Sequence, residues 1–325
     1  MRRLAPRFRR ARATGMALAG LALLTSCQLI EQPSSLKPQA RPASLSQPRP
    51  TVPEGPSAES EFLRQYYASF QADLLTQGLL RQDGGGADTP FTARELARNF
   101  EQIAFFDEYA RGGGLRSGNG APSFLRRWPG PVRITAEFGD SVPKRIRDKD
   151  NSTIRGYTSR LARLTGHSIS YVNSGANFHV LVMGEDDRDD VVKRVQELVP
   201  NISAGSLGIF RRLPRTIHCL VVAFSTEDSD AAYGQAIALV RAEHPDLIRR
   251  SCYHEEMAQG LGLANDSPQA RPSIFNDDDE FALLTTHDEM LLKMLYDPRL
   301  TVGMRLEEAR PIVAELAQEL AGGGS

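Results

Sequence analysis

Val132-Arg133-Ile134-Thr135-Ala136-Glu137-Phe138 alternates apolar and polar side chains with a period of two. A strand turns successive side chains to opposite faces, so this stretch predicts a strand with one buried face. Outward from it, strand and helix patterns follow one another. Ile154, Tyr157, Leu161 and Leu164 recur at helical spacing. Residues 169–172 and 178–183 predict two strands with a turn at Asn173-Ser174-Gly175. Residues 190–199 predict a short helix. Residues 217–224 are nearly all apolar, the pattern of a central strand buried on both faces. Helices are then expected over about 231–243, 247–263 and 288–296, with a last one running through Glu319. There is no internal repeat. The mixture predicts an α+β or α/β domain over residues 124–325, with Trp128 just ahead of its first strand.

Upstream lies a small helical segment, residues 59–123. Its first helix, about 59–75, carries Phe62, Tyr66 and Phe70 at fourfold spacing. Its second begins with Thr92 and Glu95 at capping-box spacing and sets Leu96, Phe100 and Ile103 on one face. Gly84-Gly85-Gly86 and the glycines at 112–114 bracket that second helix. Residues 28–58 are rich in Pro, Ser and Gln and have almost no apolar pattern, which predicts a flexible tether.

The first 26 residues have a different character. Six arginines (Arg2, Arg3, Arg7, Arg9, Arg10 and Arg12) precede a short apolar run, Met16 to Leu24. A stable spanning helix needs about 20 apolar residues, and a basic front with a short apolar run has the shape of a secretion signal. The chain carries 39 basic and 40 acidic residues for a net charge of -1, without the strongly basic footprint that a nucleic-acid partner leaves. Of three cysteines, Cys219 and Cys252 lie in the domain, and an oxidising compartment would let them pair.

Leu24-Thr25-Ser26-Cys27 resembles the lipobox of bacterial lipoproteins. The resemblance implies cleavage before Cys27, diacylation of its sulfur with palmitate-like chains, and a membrane anchor facing the periplasm. Gln28 stands where an aspartate would resemble the signal for inner-membrane retention, which favours the outer membrane.

The stretch that bears on chemistry is Glu255-Glu256-Met257-Ala258-Gln259-Gly260-Leu261-Gly262-Leu263-Ala264-Asn265-Asp266. Glu255 and Gln259 share a helix face at i and i+4. Gly262 can end the helix in a sharp turn that returns Asn265 toward that face. The spacing is similar to the metzincin zinc-protease motif. Ser273-Ile274-Phe275 and the segment from Leu284 to Tyr296 resemble the turn and final helix of the same superfamily. The resemblance implies a zincin-like mixed sheet with an active-site-type helix, metal ligands at Glu255, Gln259 and Asn265, and a catalytic Glu256. The ligand types argue the other way. Zinc prefers imidazole and thiolate, and one carboxylate with two neutral amides would hold a divalent metal weakly at best. Without a tightly held metal the water's pKa is not lowered and Glu256 has nothing to deprotonate. No cofactor is expected. Reading the motif one residue earlier, from His254, supplies a single ligand; His254 is expected to be a partly exposed helix residue or a neighbour of Cys252. His179 and His218 are expected to be structural.

The Cys-Tyr-His-Glu-Glu opening at 252, the Gly-Leu-Gly-Leu-Ala-Asn-Asp centre and the Leu-Tyr-Asp-Pro-Arg-Leu finish at 295 resemble DUF2927, a family of bacterial lipoproteins catalogued as a domain of unknown function. The resemblance implies a cell-envelope lipoprotein and supplies no reaction; the motif spacing, kept with its ligands replaced, leads to the expectation of a non-catalytic module binding an envelope protein or a peptidoglycan-associated partner. The alternatives are a metal-dependent hydrolase and a structural envelope module.

Overall fold

A computed structural model describes residues 55–107, 120, 122–276 and 278–322. The segments expected to be a secretion signal and most of a tether, and Cys27 with them, lie outside the described residues. The described residues form one compact unit, a mixed α+β fold. No described helix is long and apolar enough to cross a membrane.

Helices α1 (Ala58–Thr76) and α2 (Ala93–Phe105) come first. Both ends of the expected capping box form on α2: Glu95 N–H donates to the Thr92 hydroxyl, and Thr92 N–H to the Glu95 carboxylate. Then follow β1 (Val132–Phe138), α3 (Lys144–Thr165), β2 (Ile169–Tyr171), β3 (Phe178–Met183), α4 (Arg188–Leu198) and α5 (Ala204–Arg211). The chain continues through β4 (Cys219–Thr226), β5 (Ser229–Arg241), α6 (Asp246–Gln259), α7 (Thr286–Leu295) and α8 (Leu306–Ala321). Helix α5 has no counterpart in the sequence pattern, whose apolar residues Leu207 and Phe210 are too few to set a period.

The five strands form one sheet in the order β2-β1-β3-β5-β4, parallel except for the antiparallel β4–β5 pair. Phe178, Val180 and Val182 on β3 and Ala236, Ala238 and Val240 on β5 enter the main core, which α2, α3, α6, α7 and α8 also fill. The alternate residues, Leu181, Met183, Ile237 and Leu239, enter a second core under α4 and α5.

Two expectations are corrected. Residues 231–243 form most of β5, not a helix. Alanine favours helices, but here Ala236 and Ala238 lie fully buried between β3 and β4, on the face against which α6 packs. Small side chains admit the helix, and the ladder overrides the local preference. Residues 217–224 do not form the central strand; β4 is the edge strand, and most of its residues are half-buried. The expected turn at 173–175 is present as a bend between β2 and β3, which do not pair with each other. Tyr171 and Phe178 both pair with Ile134, so the connection carries the chain from one side of β1 to the other. On α1 the extent is as expected, yet the inward face is Ser60, Leu63, Tyr67 and Leu74; Phe62 is largely exposed.

Candidate functional site

A cleft of about 850 Å³ runs between β4 and α6, closed at its sides by α1 and α5. Residues 216–225 line it without a break, so the edge strand forms one wall from Cys219 to Ser225. Helix α6 forms the opposite wall with Ser251, Cys252, Glu255, Glu256 and Gln259. The Cys219–Cys252 disulfide ties the two walls, with Cα atoms 5.8 Å apart, as the cysteine count anticipated. From α1, Tyr66 and Phe70 line the cleft, and Phe70 also packs against the small core of Leu74, Leu80 and Ile248.

The end of α6 is held from several sides. The Trp128 indole N–H donates to the Gly260 carbonyl at 2.8 Å, and the Tyr296 hydroxyl donates to the Leu261 carbonyl at 3.0 Å. Gly262 turns the chain at φ 134, and a Cβ there would stand 2.4 Å from the Arg126 carbonyl oxygen. Only glycine fits such a turn. The turn does bring a polar side chain back beside Gln259, but the one it delivers is Asp266. The Gln259 amide donates to Asp266 Oδ1 at 3.1 Å. Asn265 is held by α2 instead: its backbone N–H donates to the Ile103 carbonyl and its side-chain amide to the Gln102 carbonyl at 3.0 Å. Spacing alone could not separate neighbouring positions after a tight turn, because each extended residue reverses the side-chain direction.

Below α6, Ser273-Ile274-Phe275 forms the anticipated turn, fixed by one carboxylate. Asp288 accepts from the Ser273 hydroxyl at 2.6 Å, the Ile274 N–H at 3.1 Å and the Thr285 N–H at 2.9 Å. The last of these belongs to the α7 capping box, so one buried side chain caps α7 and sets Ile274 at the cleft. Phe275 is fully buried.

Among the described residues, one group of three side chains offers metal-ligating atoms within 4.8 Å of one another: Cys219, Glu255 and Glu256. Cys219's sulfur is committed to the disulfide. A disulfide sulfur is a poor substitute for the thiolate that binds metal. His287 is fully buried, with Nε2 3.1 Å from the Asn99 amide on α2.

Two other histidines are informative. The expected partial exposure of His254 is corrected: it is 7% exposed, and its ring stacks on Tyr157 with centroids 4.1 Å apart. Its Nδ1 accepts the Leu284 N–H at 3.0 Å. Burial, and then the guanidinium groups of Arg160 and Arg250, push its pKa down to about 3. His218 lines the cleft beside Phe70 and is pushed down to about 4 by burial and by Arg241. Below pH ~6.5 the unfolded chain takes up protons that these folded rings refuse, so stability is lost as pH falls, until the folded pKa is reached. For His254 alone the loss is about 1.4 kcal/mol per pH unit. Urea midpoints measured from pH 7 down to pH 4 should fall steadily, and His254→Gln should flatten the slope by about one proton. An unchanged slope in that variant would reject this account.

The family model described as "Protein of unknown function (DUF2927)" matches residues 93–315. The chain belongs to the DUF2927 family. The match opens on the first residue of α2 and closes inside α8, so the DUF2927 span contains the whole sheet, α6, its turn and α7. Helix α1 stands outside the span yet contributes one side of the cleft. No curated protein and no solved structure matches the chain.

Proposed function

We propose that this DUF2927 protein is a lipid-anchored envelope lipoprotein whose cleft binds a partner without catalysing a reaction on it. The observation that carries the reading is the donor set of the cleft. Glu255 and Glu256 approach one another, but the third ligating atom near them is a sulfur already bonded to Cys252. Gln259 is engaged with Asp266, and Asn265 with α2. Imidazole donors, which zinc chemistry would need, are not part of this group.

The zincin-like reading is supported by the order of elements, by edge strand β4 lying along the motif face of α6, and by the Ser273–Phe275 turn beneath it. An edge strand with an open side receives an extended segment by strand addition. The partner that suits this cleft is therefore an extended envelope polypeptide that pairs with β4 and sets apolar side chains against Tyr66 and Phe70.

Two measurements on the full-length chain test the reading. A photo-crosslinking residue at Ala223 on β4 should trap an envelope polypeptide, whereas one at the exposed Gln196 on α4 should not. Trapping should persist in Glu256→Gln. Metal content by mass spectrometry should stay at background in the wild type and in Glu255→Ala/Gln259→Ala alike. Near-stoichiometric metal that disappears in the double variant would replace this reading with a metal-dependent hydrolase.

A further inference from the structure

Helix α6 has a second functional-looking face, turned away from the cleft. Arg250 and His254 are four residues apart and share that face. Opposite them, α3 presents Gly156, Arg160 and Arg163 at the spacing of successive turns. Together they line a shallow cup of about 390 Å³. His254 is more than nine-tenths buried and its Nδ1 is taken by the Leu284 N–H, which leaves the ring proton on Nε2. His254 lines the cup, so that N–H is the donor its ring can offer there. Arg160 is steadied by Glu289, whose Oε1 accepts from its Nε at 3.1 Å and its Nη2 at 2.7 Å. Among the described residues, Arg250 makes one long hydrogen bond, 3.4 Å to the Gln82 side-chain oxygen. Arg163 stands exposed at the rim. Three guanidinium groups with one carboxylate among them leave the cup with an excess of positive charge.

Gly156 adds an independent sign. It lies inside a 22-residue helix, where glycine weakens the helix. A Cβ there would meet nothing within 4 Å, so the fold does not require glycine at this place. What its missing side chain provides is an unobstructed mouth to the cup.

We infer that this cup is an oxyanion site that takes a phosphate group, borne by a free phosphate ester or by a phospholipid headgroup. Guanidinium forks match phosphate oxygens in pairs, and the neutral, tautomer-fixed His254 supplies one further donor without needing to be charged.

The test is a titration of the full-length chain, followed through the His254 side-chain resonances by NMR. Inorganic phosphate, glycerol 3-phosphate and the diester glycerophosphoglycerol are the probes, with chloride at matched ionic strength as reference. A saturable shift with a phosphate probe, absent with chloride, is expected. Tighter binding of the diester would assign the site to lipid headgroups, and tighter binding of either monoester probe to free phosphate. Arg163→Gln/Arg250→Gln should weaken binding by about tenfold or more. Gly156→Asp, which the open space accommodates, should do the same through its charge while leaving the thermal midpoint nearly unchanged. Shifts equal to those with chloride, or affinity unaltered in both variants, would overturn the assignment.

Discussion

Replacing Cys219 and Cys252 together by serine is expected to lower the unfolding free energy by about 3–4 kcal/mol. The bond closes a loop with a sequence separation of 33, and removing it restores that conformational freedom to the unfolded chain. There is a local reason as well. As an edge strand, β4 has one neighbour, β5, and their register slips between Phe224 and Thr226. The disulfide is thus the covalent link between the two walls of the cleft. Urea unfolding of the oxidised chain and of the double variant measures the first effect, and a difference below about 1 kcal/mol would show the estimate wrong. The crosslinking yield at Ala223 measures the second, and it should fall in the variant even under conditions where the chain remains folded.

The second large effect is expected at Asp150 on α3. Its carboxylate accepts from Arg249 Nε at 2.6 Å and Arg249 Nη2 at 3.2 Å, and from the Tyr253 hydroxyl at 2.9 Å. The two charged side chains are 1% and 5% exposed. Burial disfavours the charge on Arg249, while the Asp150 hydrogen bonds and charge outweigh it and raise its pKa. Asp150→Ala leaves a buried guanidinium with too few acceptors, which should cost about 3–5 kcal/mol. Removing both charges as Asp150→Leu/Arg249→Met should cost far less, because the desolvation penalty disappears along with the attraction. A thermodynamic cycle over the two single variants and the double variant decides the matter. If Asp150→Ala alone is nearly neutral, the pair does not hold α6 against α3.

The pair also explains why α6 can serve two faces. It fixes the helix from within the core, through residues between the cleft face and the Arg250–His254 face. His254 shows how misleading exposure can be when judged from sequence. Among Tyr253, Glu255 and Glu256 it reads as a residue of a polar turn, yet Tyr157 from α3 covers its ring and Leu284 supplies its hydrogen bond.

Much of the molecule is determined by sequence alone, wherever the deciding interaction is local. The alternation of Val132–Phe138 specifies a strand because side chains on a pleated backbone alternate regardless of what lies beside them. Thr92 with Glu95, and Thr285 with Asp288, start their helices because each pair satisfies N–H groups within one turn of itself. Gly262 announces its sharp bend, and three cysteines leave one pair to bond inside the domain.

Tertiary structure decided the rest. Residues 231–241 carry small and apolar side chains compatible with helix or strand, and pairing with β3 and β4 selects the strand. Whether the run at 219–226 sits at the centre or edge of a sheet is a fact about its neighbours, which no local pattern records. So is the exchange of Asn265 for Asp266 beside Gln259, settled by the contact of α2 with the loop after Gly262. Periodicity reports which face a side chain shares. Partners distant in the chain determine what that face meets, and they are brought close only when the core closes around them.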